Sequence, residues 1–130
     1  MIVVDASVLA TALGDDAADG DAARARLRGE TLAAPELIDL ETLSVLRRQT
    51  ATGDLDTRRA ELALSDLMDL PLQRVAHRSL LRRCWELRAN LTVYDAAYVA
   101  LAEVLGVPFL TADRRLAHAP GLRCSVLLMS

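Results

Sequence analysis

Short apolar runs and helix-period segments alternate along almost the whole chain, and that alternation leaves few folds open. "IVVD" at the start reads as a strand, and "ASVLATAL" follows at helical spacing and stops at Gly14. The polar stretch "GDDAADGD" is expected to be a loop, leading into the helical "DAARARLRG" that Gly29 ends. "TLAAP" reads as a second strand. "ELIDLETLSVLRRQTATG" is a strong helix, with Leu37, Leu40 and Val45 near one face and Gly53 beyond its end. "DLDTRRAELALSDLMDL" is another, with Asp56 as N-cap and Pro71 after its end. "LQRVA" reads as a strand, "HRSLLRRCWELRANL" as a helix carrying the only Trp, and "TVYDAAYVALAEVLG" as a helix ended by Gly106. "VPFLT", "ADRRLAHA" and "CSVLLM" complete the pattern as strand, short helix and strand. Such alternation predicts an α/β fold with a largely parallel sheet. The apolar runs do not alternate in polarity, as expected for strands covered on both faces. With 130 residues, the chain is expected to form one domain over 1–130.

Composition excludes several classes. Just over half the residues are hydrophobic, which excludes a disordered chain. Cys84 and Cys124 match no zinc spacing and are expected to be reduced core residues. The start has no basic segment followed by an apolar one, and no apolar run reaches membrane-spanning length. A cytoplasmic protein with no membrane association is the expectation. The acids of "GDDAADGD" do not make a calcium loop: one starting at Asp15 needs an acid near residue 17 and Glu at residue 26, where the chain has Ala17 and Arg26. The net charge is −3, which does not by itself suggest a nucleic-acid binder. Yet every basic residue is Arg, and the arginines cluster, as in Arg47 and Arg48, Arg82, Arg83 and Arg88, or Arg114 and Arg115. Arg suits bidentate contact with phosphate, and equally suits a solvated helix face.

The acids carry the chemistry. Ligands of open α/β sheets bind at the carboxyl ends of strands. Asp5 follows "IVV", and Asp113 follows "FLT". Either could simply cap the helix after it. Asp95 likewise fits a capping box with Thr92. Glu41 is different, because it sits inside a helix with Leu37, Ile38, Ser44 and Val45 as its neighbours at three and four residues. A carboxylate on a mostly apolar stripe needs a cationic partner or a metal. Arg48, one further turn along, is the structural alternative. Four acids gathered at one place would repel one another and raise their pKa values. An all-oxygen set selects Mg²⁺ or Mn²⁺ over zinc. Such a site activates water and clamps a phosphodiester for in-line displacement.

These segments resemble PIN-domain ribonucleases, most closely the VapC toxins of type II toxin–antitoxin pairs. The resemblance covers nearly the whole chain. In "IVVDASVLATAL", Asp5 matches the first family acid and Ser7 the Ser or Thr that often accompanies it. In "APELIDLETLSVLRR", Glu41 matches the helical acid; in "LTVYDAAYVALAEVLGVPFLTADRRL", Asp95 matches the third, and Thr111 with Asp113 the fourth. The resemblance implies an α/β/α sandwich and Mg²⁺- or Mn²⁺-dependent endoribonuclease activity. It also implies a homodimer and a VapB-like antitoxin, together forming a heterotetramer or larger assembly. Asp5, Asp95 and Asp113 would hold metal, with Glu41 binding metal or orienting water, and Ser7 and Thr111 would support them. Arg114 and Arg115, then Arg88, are the candidates for RNA phosphate. The dimer face is not placed, although "TRRAELALSDLMDLPLQ" has apolar positions on more than one side. Alternatives are an RNA-processing PIN nuclease without an antitoxin, or an inactive PIN-fold binding module. A receiver domain is excluded by the lack of Lys, and a haloacid-dehalogenase phosphatase by Ser7 where a second Asp is needed.

Overall fold

β1 (Ile2–Val4) is buried along its whole length and runs through the middle of the molecule. The computed structural model, which describes residues 1–129, builds a five-stranded parallel sheet around it in the order β3-β2-β1-β4-β5. The other strands are β2 (Leu32–Pro35), β3 (Leu72–Val75), β4 (Phe109–Thr111) and β5 (Val126–Leu128). The chain winds outward from β1 through β2 to β3, then crosses back to the other side of β1 for β4 and β5. The order therefore reverses between β1 and β4, where an open sheet leaves a crevice at its carboxyl edge.

Two helical layers cover the sheet. On one side α1 (Ala6–Gly14) packs on α2 (Ala18–Leu27), α3 (Leu37–Ala51) and α4 (Thr57–Asp69). On the other, α6 (Val93–Leu105) lies over β1, β2 and β4 and is flanked by α5 (Leu81–Glu86). The short α7 (Arg114–Ala117) packs on β4 and β5. The expected α/β/α architecture and its parallel sheet are present. The core joins Val3, Val4, Val8, Leu9, Ile38 and Leu101 with the stacked rings of Tyr98 and Phe109. Burying such side chains supplies most of the drive to fold, at about 25 cal/mol per Å² of apolar surface. Neither cysteine is in a disulfide. Among the described residues no helix is long and apolar enough to cross a membrane.

Several local expectations are corrected. α2 begins at Ala18 rather than after the acidic stretch. Its first turn presses against the end of α1, where a Cβ on Gly20 would run into the Asp15 carbonyl. Arg24 ties the two helices by donating to the Ala12 and Asp15 carbonyls at 2.9 and 2.7 Å. In α3 the buried face is Ile38, Thr42 and Leu46; Leu40, expected on the inner face, is 71% exposed. The segment expected as one long helix after β3 forms a 3₁₀ turn (Arg78–Leu80) and the short α5. The side chain of His77 just before it accepts the Leu37 N–H of α3 at 2.9 Å.

A polar staple closes the layer of α5 and α6. Arg83 donates to both Glu103 oxygens, at 2.7 and 3.2 Å, and to the Gly121 carbonyl at 2.9 Å. Glu103 also accepts the Arg123 N–H at 2.7 Å. Burial would raise the Glu103 pKa, but Arg83 and the Arg123 N–H hold it below the usual range. Its ionised form therefore stabilises the fold above the unfolded-state pKa, and that contribution is lost as pH falls through the lower folded value. Glu103→Gln should destabilise the protein by about 1–3 kcal/mol at pH 7. In denaturant titrations the difference from wild type should shrink below about pH 4.

Candidate active site

The register of the two central strands brings the first and last acids together. Val4 pairs with Leu110, and the Asp5 N–H continues the ladder to the Leu110 carbonyl at 2.9 Å. Asp5 therefore emerges beside Thr111 at the carboxyl edge. It occupies the N-cap position of α1 in extended conformation, yet its side chain makes no capping hydrogen bond. Instead its Oδ2 accepts from the Thr111 hydroxyl at 2.6 Å and the Ser7 hydroxyl at 3.0 Å. Thr111, fully buried, also accepts the Asp113 N–H at 3.0 Å. One hydroxyl thus fixes the Asp5 carboxylate and the main chain of Asp113 together. Ser7 accepts the Ala112 N–H at 3.3 Å and closes the same loop.

Glu41 comes from the opening turns of α3, which starts two residues after β2 ends. Its Oε1 accepts the Tyr98 hydroxyl at 2.7 Å. Arg48 is exposed, and among the described residues no arginine pairs with Glu41. Asp95 is the third residue of α6, on the turn before Tyr98, and its N–H is capped by Thr92 Oγ1 at 3.1 Å. Asp113 does cap: its Oδ1 accepts the Arg115 N–H at 2.9 Å. The Arg115 guanidinium closes on the same carboxylate, Nε to Oδ1 at 3.2 Å and Nη2 to Oδ2 at 2.7 Å.

The charges act on each other. Burial pushes the Glu41 carboxyl up; the Tyr98 hydrogen bond opposes this, and the charges of Asp5 and Asp95 add to it. Asp95 is raised by burial, then by Asp5, with Thr92 opposing and Asp113 adding. Asp113 is held below the ordinary range, chiefly by Arg115. The sheet and its flanking helices thus bring Asp5, Glu41 and Asp95 within electrostatic reach of one another and Asp113 within reach of Asp95, with Ser7 and Thr111 binding Asp5 directly. No three acids among the described residues stand close enough to wrap one ion by themselves. The donor set is all oxygen and electrostatically strained, which fits a hard divalent cation that keeps part of its water shell, as Mg²⁺ ordinarily does.

Of the three arginines, Arg115 touches Asp113, and Arg114 is its exposed neighbour on α7. Arg88 lies apart. It stacks 4.2 Å over the exposed Trp85 ring, which lines an apolar groove of about 430 Å³ with Tyr94, the residue before Asp95. A cleft of about 860 Å³, lined by Asp15, Asp16, Gln49 and Arg59 among others, includes none of the four acids. Sequence reasoning missed Tyr98 as the partner of Glu41. The signal was available: a Tyr one turn after Asp95, on an apolar face, whose hydroxyl needs a polar partner when buried.

Comparison with known proteins gives consistent matches. The chain matches the PIN domain family over residues 2–122. It is 41% identical to Ribonuclease VapC1 of Mycobacterium tuberculosis over 128 residues, covering 98% of this chain and 96% of that protein. Ribonuclease VapC12 of the same organism is 36% identical over the full length of both. Among solved structures, PAE2754 from Pyrobaculum aerophilum is 26% identical with a TM-score of 0.68, covering 96% of this chain and 81% of that one. VapBC2 from Rickettsia felis, bound to a DNA fragment from its promoter, shares the fold at 14% identity and a TM-score of 0.69, covering 97% and 98%.

The raised carboxylates make a stability prediction. Raised above its unfolded value, Asp95 penalises the fold when ionised, and that penalty is relieved as pH falls through the folded pKa. Asp95→Asn should raise the Tm of the metal-free protein by roughly 2–5 °C at pH 7. The gain should fade on acidification in differential scanning calorimetry. Thr111→Val should act the other way, lowering stability by about 1–3 kcal/mol through loss of the Asp5 hydrogen bond.

Proposed function

The chain belongs to the PIN-domain family, and from that premise we propose that it is a divalent-metal-dependent endoribonuclease acting as the toxin of a toxin–antitoxin pair. The observation that carries this reading is the gathering of Asp5 and Asp113 from two strand ends with Glu41 and Asp95 from two helices, the latter pair raised by burial and by their neighbours' charges. Curated relatives named as VapC ribonucleases, at 36–41% identity over nearly the whole chain, support it.

In this reading Asp5, Asp95 and Asp113 hold Mg²⁺ or Mn²⁺, directly or through water. When bound, the ion supplies a water of lowered pKa and neutralises charge on the phosphate. Asp5 offers its Oδ1, since Ser7 and Thr111 occupy Oδ2. Those hydroxyls fix the carboxylate's aim, as outer partners of a metal ligand do. Glu41, held by Tyr98, binds metal or orients the attacking water. Arg114 and Arg115 hold RNA phosphates near the acids, and Arg88 holds one further along the strand. Single-stranded or looped RNA is the substrate class, because its bases can be splayed out. Only Trp85 and Tyr94 are exposed aromatics, so recognition rests on arginine and shape more than on stacking.

The partners in this reading are a VapB-like antitoxin and a second copy of the chain, in a heterotetramer or larger assembly. A toxin–antitoxin complex from Klebsiella pneumoniae among the structural neighbours, with VapBC structures from Rickettsia felis and Salmonella typhimurium, supports the antitoxin. The exposed Leu62 and Met68 of α4 give that helix apolar surface to share.

The test is cleavage of RNA by the purified chain freed of any partner. Cleavage should need Mg²⁺ or Mn²⁺ and stop with EDTA, and Asp5→Asn should lower its rate by at least about a hundredfold. Wild-type rates in Asp5→Asn would sink the assignment. Because Glu41 and Asp95 take up protons above the ordinary carboxylate range, the rate should fall on acidification sooner than ordinary acids would dictate. More metal should move that limb to lower pH, since metal and proton compete for the same oxygens.

A further inference from the structure

Among the four acids, Asp113 alone already has a cation. Arg115 meets it three times, through its N–H at 2.9 Å and Nε at 3.2 Å to Oδ1, and through Nη2 at 2.7 Å to Oδ2. Both carboxylate oxygens are thereby occupied. Asp5, Glu41 and Asp95 have no ion-pair partner among the described residues. A metal that drew on Asp113 would have to compete with the guanidinium for these two oxygens.

This pair is built to open. The Arg115 side chain is 86% exposed, and among the described residues its only side-chain hydrogen bonds are those to Asp113. The two-point contact is the stronger kind of exposed pair, but at this exposure water and salt screen it and another cation can compete for the same oxygens. When the guanidinium leaves, the main-chain bond from the Arg115 N–H to Oδ1 can remain, so Asp113 stays aimed at the mouth. The released guanidinium is a planar fork suited to phosphate. Arg114, one residue back and of equal charge, makes no bond to Asp113.

We propose that Arg115 is a resident counter-cation of Asp113, displaced when a divalent metal binds and transferred to an RNA phosphate, so that metal and RNA each strengthen the other's binding. The proposal rests on the ribonuclease reading above. Both ligands favour the same state, with Arg115 off Asp113, and such coupling is reciprocal. Arg115 is in this sense a positioning residue that links two ligands.

The experiment measures Mn²⁺ affinity from the electron paramagnetic resonance signal of the free ion, using the full chain without RNA. Arg115→Gln should bind Mn²⁺ about two- to fivefold more tightly than wild type. Arg114→Gln removes the same charge without touching Asp113 and should change affinity distinctly less. Arg115→Lys keeps the charge but loses the fork, and should fall between wild type and Arg115→Gln. In cleavage assays, Arg115→Gln should lower the Mn²⁺ concentration for half-maximal rate and raise KM for RNA. A purely structural role would not move these in opposite directions. Equal effects of Arg114→Gln and Arg115→Gln on Mn²⁺ affinity would overturn the proposal and reduce Arg115 to bulk charge. Mn²⁺ binding that Asp5→Asn leaves intact would instead overturn the metal-site reading, and the proposal with it.

Discussion

Carboxylates repel one another, and this fold holds four of them at one edge of one sheet. Everything around the edge answers that repulsion. Asp5 is met by two hydroxyls, Glu41 by a buried phenol, Asp95 by the capped first turn of α6, and Asp113 by an arginine. The topology contributes as well. In a parallel sheet the helix that follows each strand begins at the strand's carboxyl end, so positive helix ends gather where the acids are. Asp95 and Asp113 both lie at such ends. The same crossover that reverses strand order between β1 and β4 sets Asp5 beside Thr111. The sheet order, the helix starts and the two hydroxyls together let the chain fold with its acids in place.

None of these partners cancels a full charge except Arg115. Hydroxyls and helix ends orient a carboxylate and ease its ionisation, but leave its field largely intact. The stability that this arrangement forgoes is recovered elsewhere. The core around Val3, Val4 and Ile38 is closed. Arginines bind helix ends from outside: Arg24 the Ala12 and Asp15 carbonyls, Arg59 the Leu13 carbonyl, and Arg74 the Leu67 carbonyl. Each satisfies main-chain oxygens left open where α1 and α4 stop.

That use of arginine marks what the sequence could and could not convey. Strand and helix alternation was legible because each apolar run is short and most helices have a stop signal, and Gly53 and Gly106 do end helices in the left-handed region. The acids were legible by position, and Glu41 by its lack of any cap to make. Their partners were not, since Tyr98 is 57 residues from Glu41 and Thr111 is 106 from Asp5. The arginine clusters suggested phosphate contact, but Arg24, Arg59, Arg74 and Arg83 are committed to carbonyls and carboxylates within the fold. Only the folded chain separates arginines that hold helices from those left at the mouth. Leu40 misled for a related reason: helical spacing defines a stripe, but which edge of it faces the core depends on where α3 leaves β2.

The choice of partner at Glu41 says the most about what the mouth requires. The chain has fifteen basic side chains of the lysine and arginine type, so an arginine for Glu41 was within reach of its composition. Tyr98 stands there instead, fully buried and stacked on Phe109 at 5.7 Å. A guanidinium at that place would neutralise Glu41 and lower the affinity of the whole cluster for any other cation. A phenol holds the oxygen equally still and adds no charge, and burial pushes its own pKa far upward, so it stays a donor at any working pH. Aim is fixed while the negative field is preserved. In the ribonuclease reading proposed above, RNA is a polyanion that this field repels, so positive charge beyond that of Arg115 would favour its approach. The residues that hold the carboxylates without neutralising them therefore leave a negative field of the kind that the proposed metal would answer.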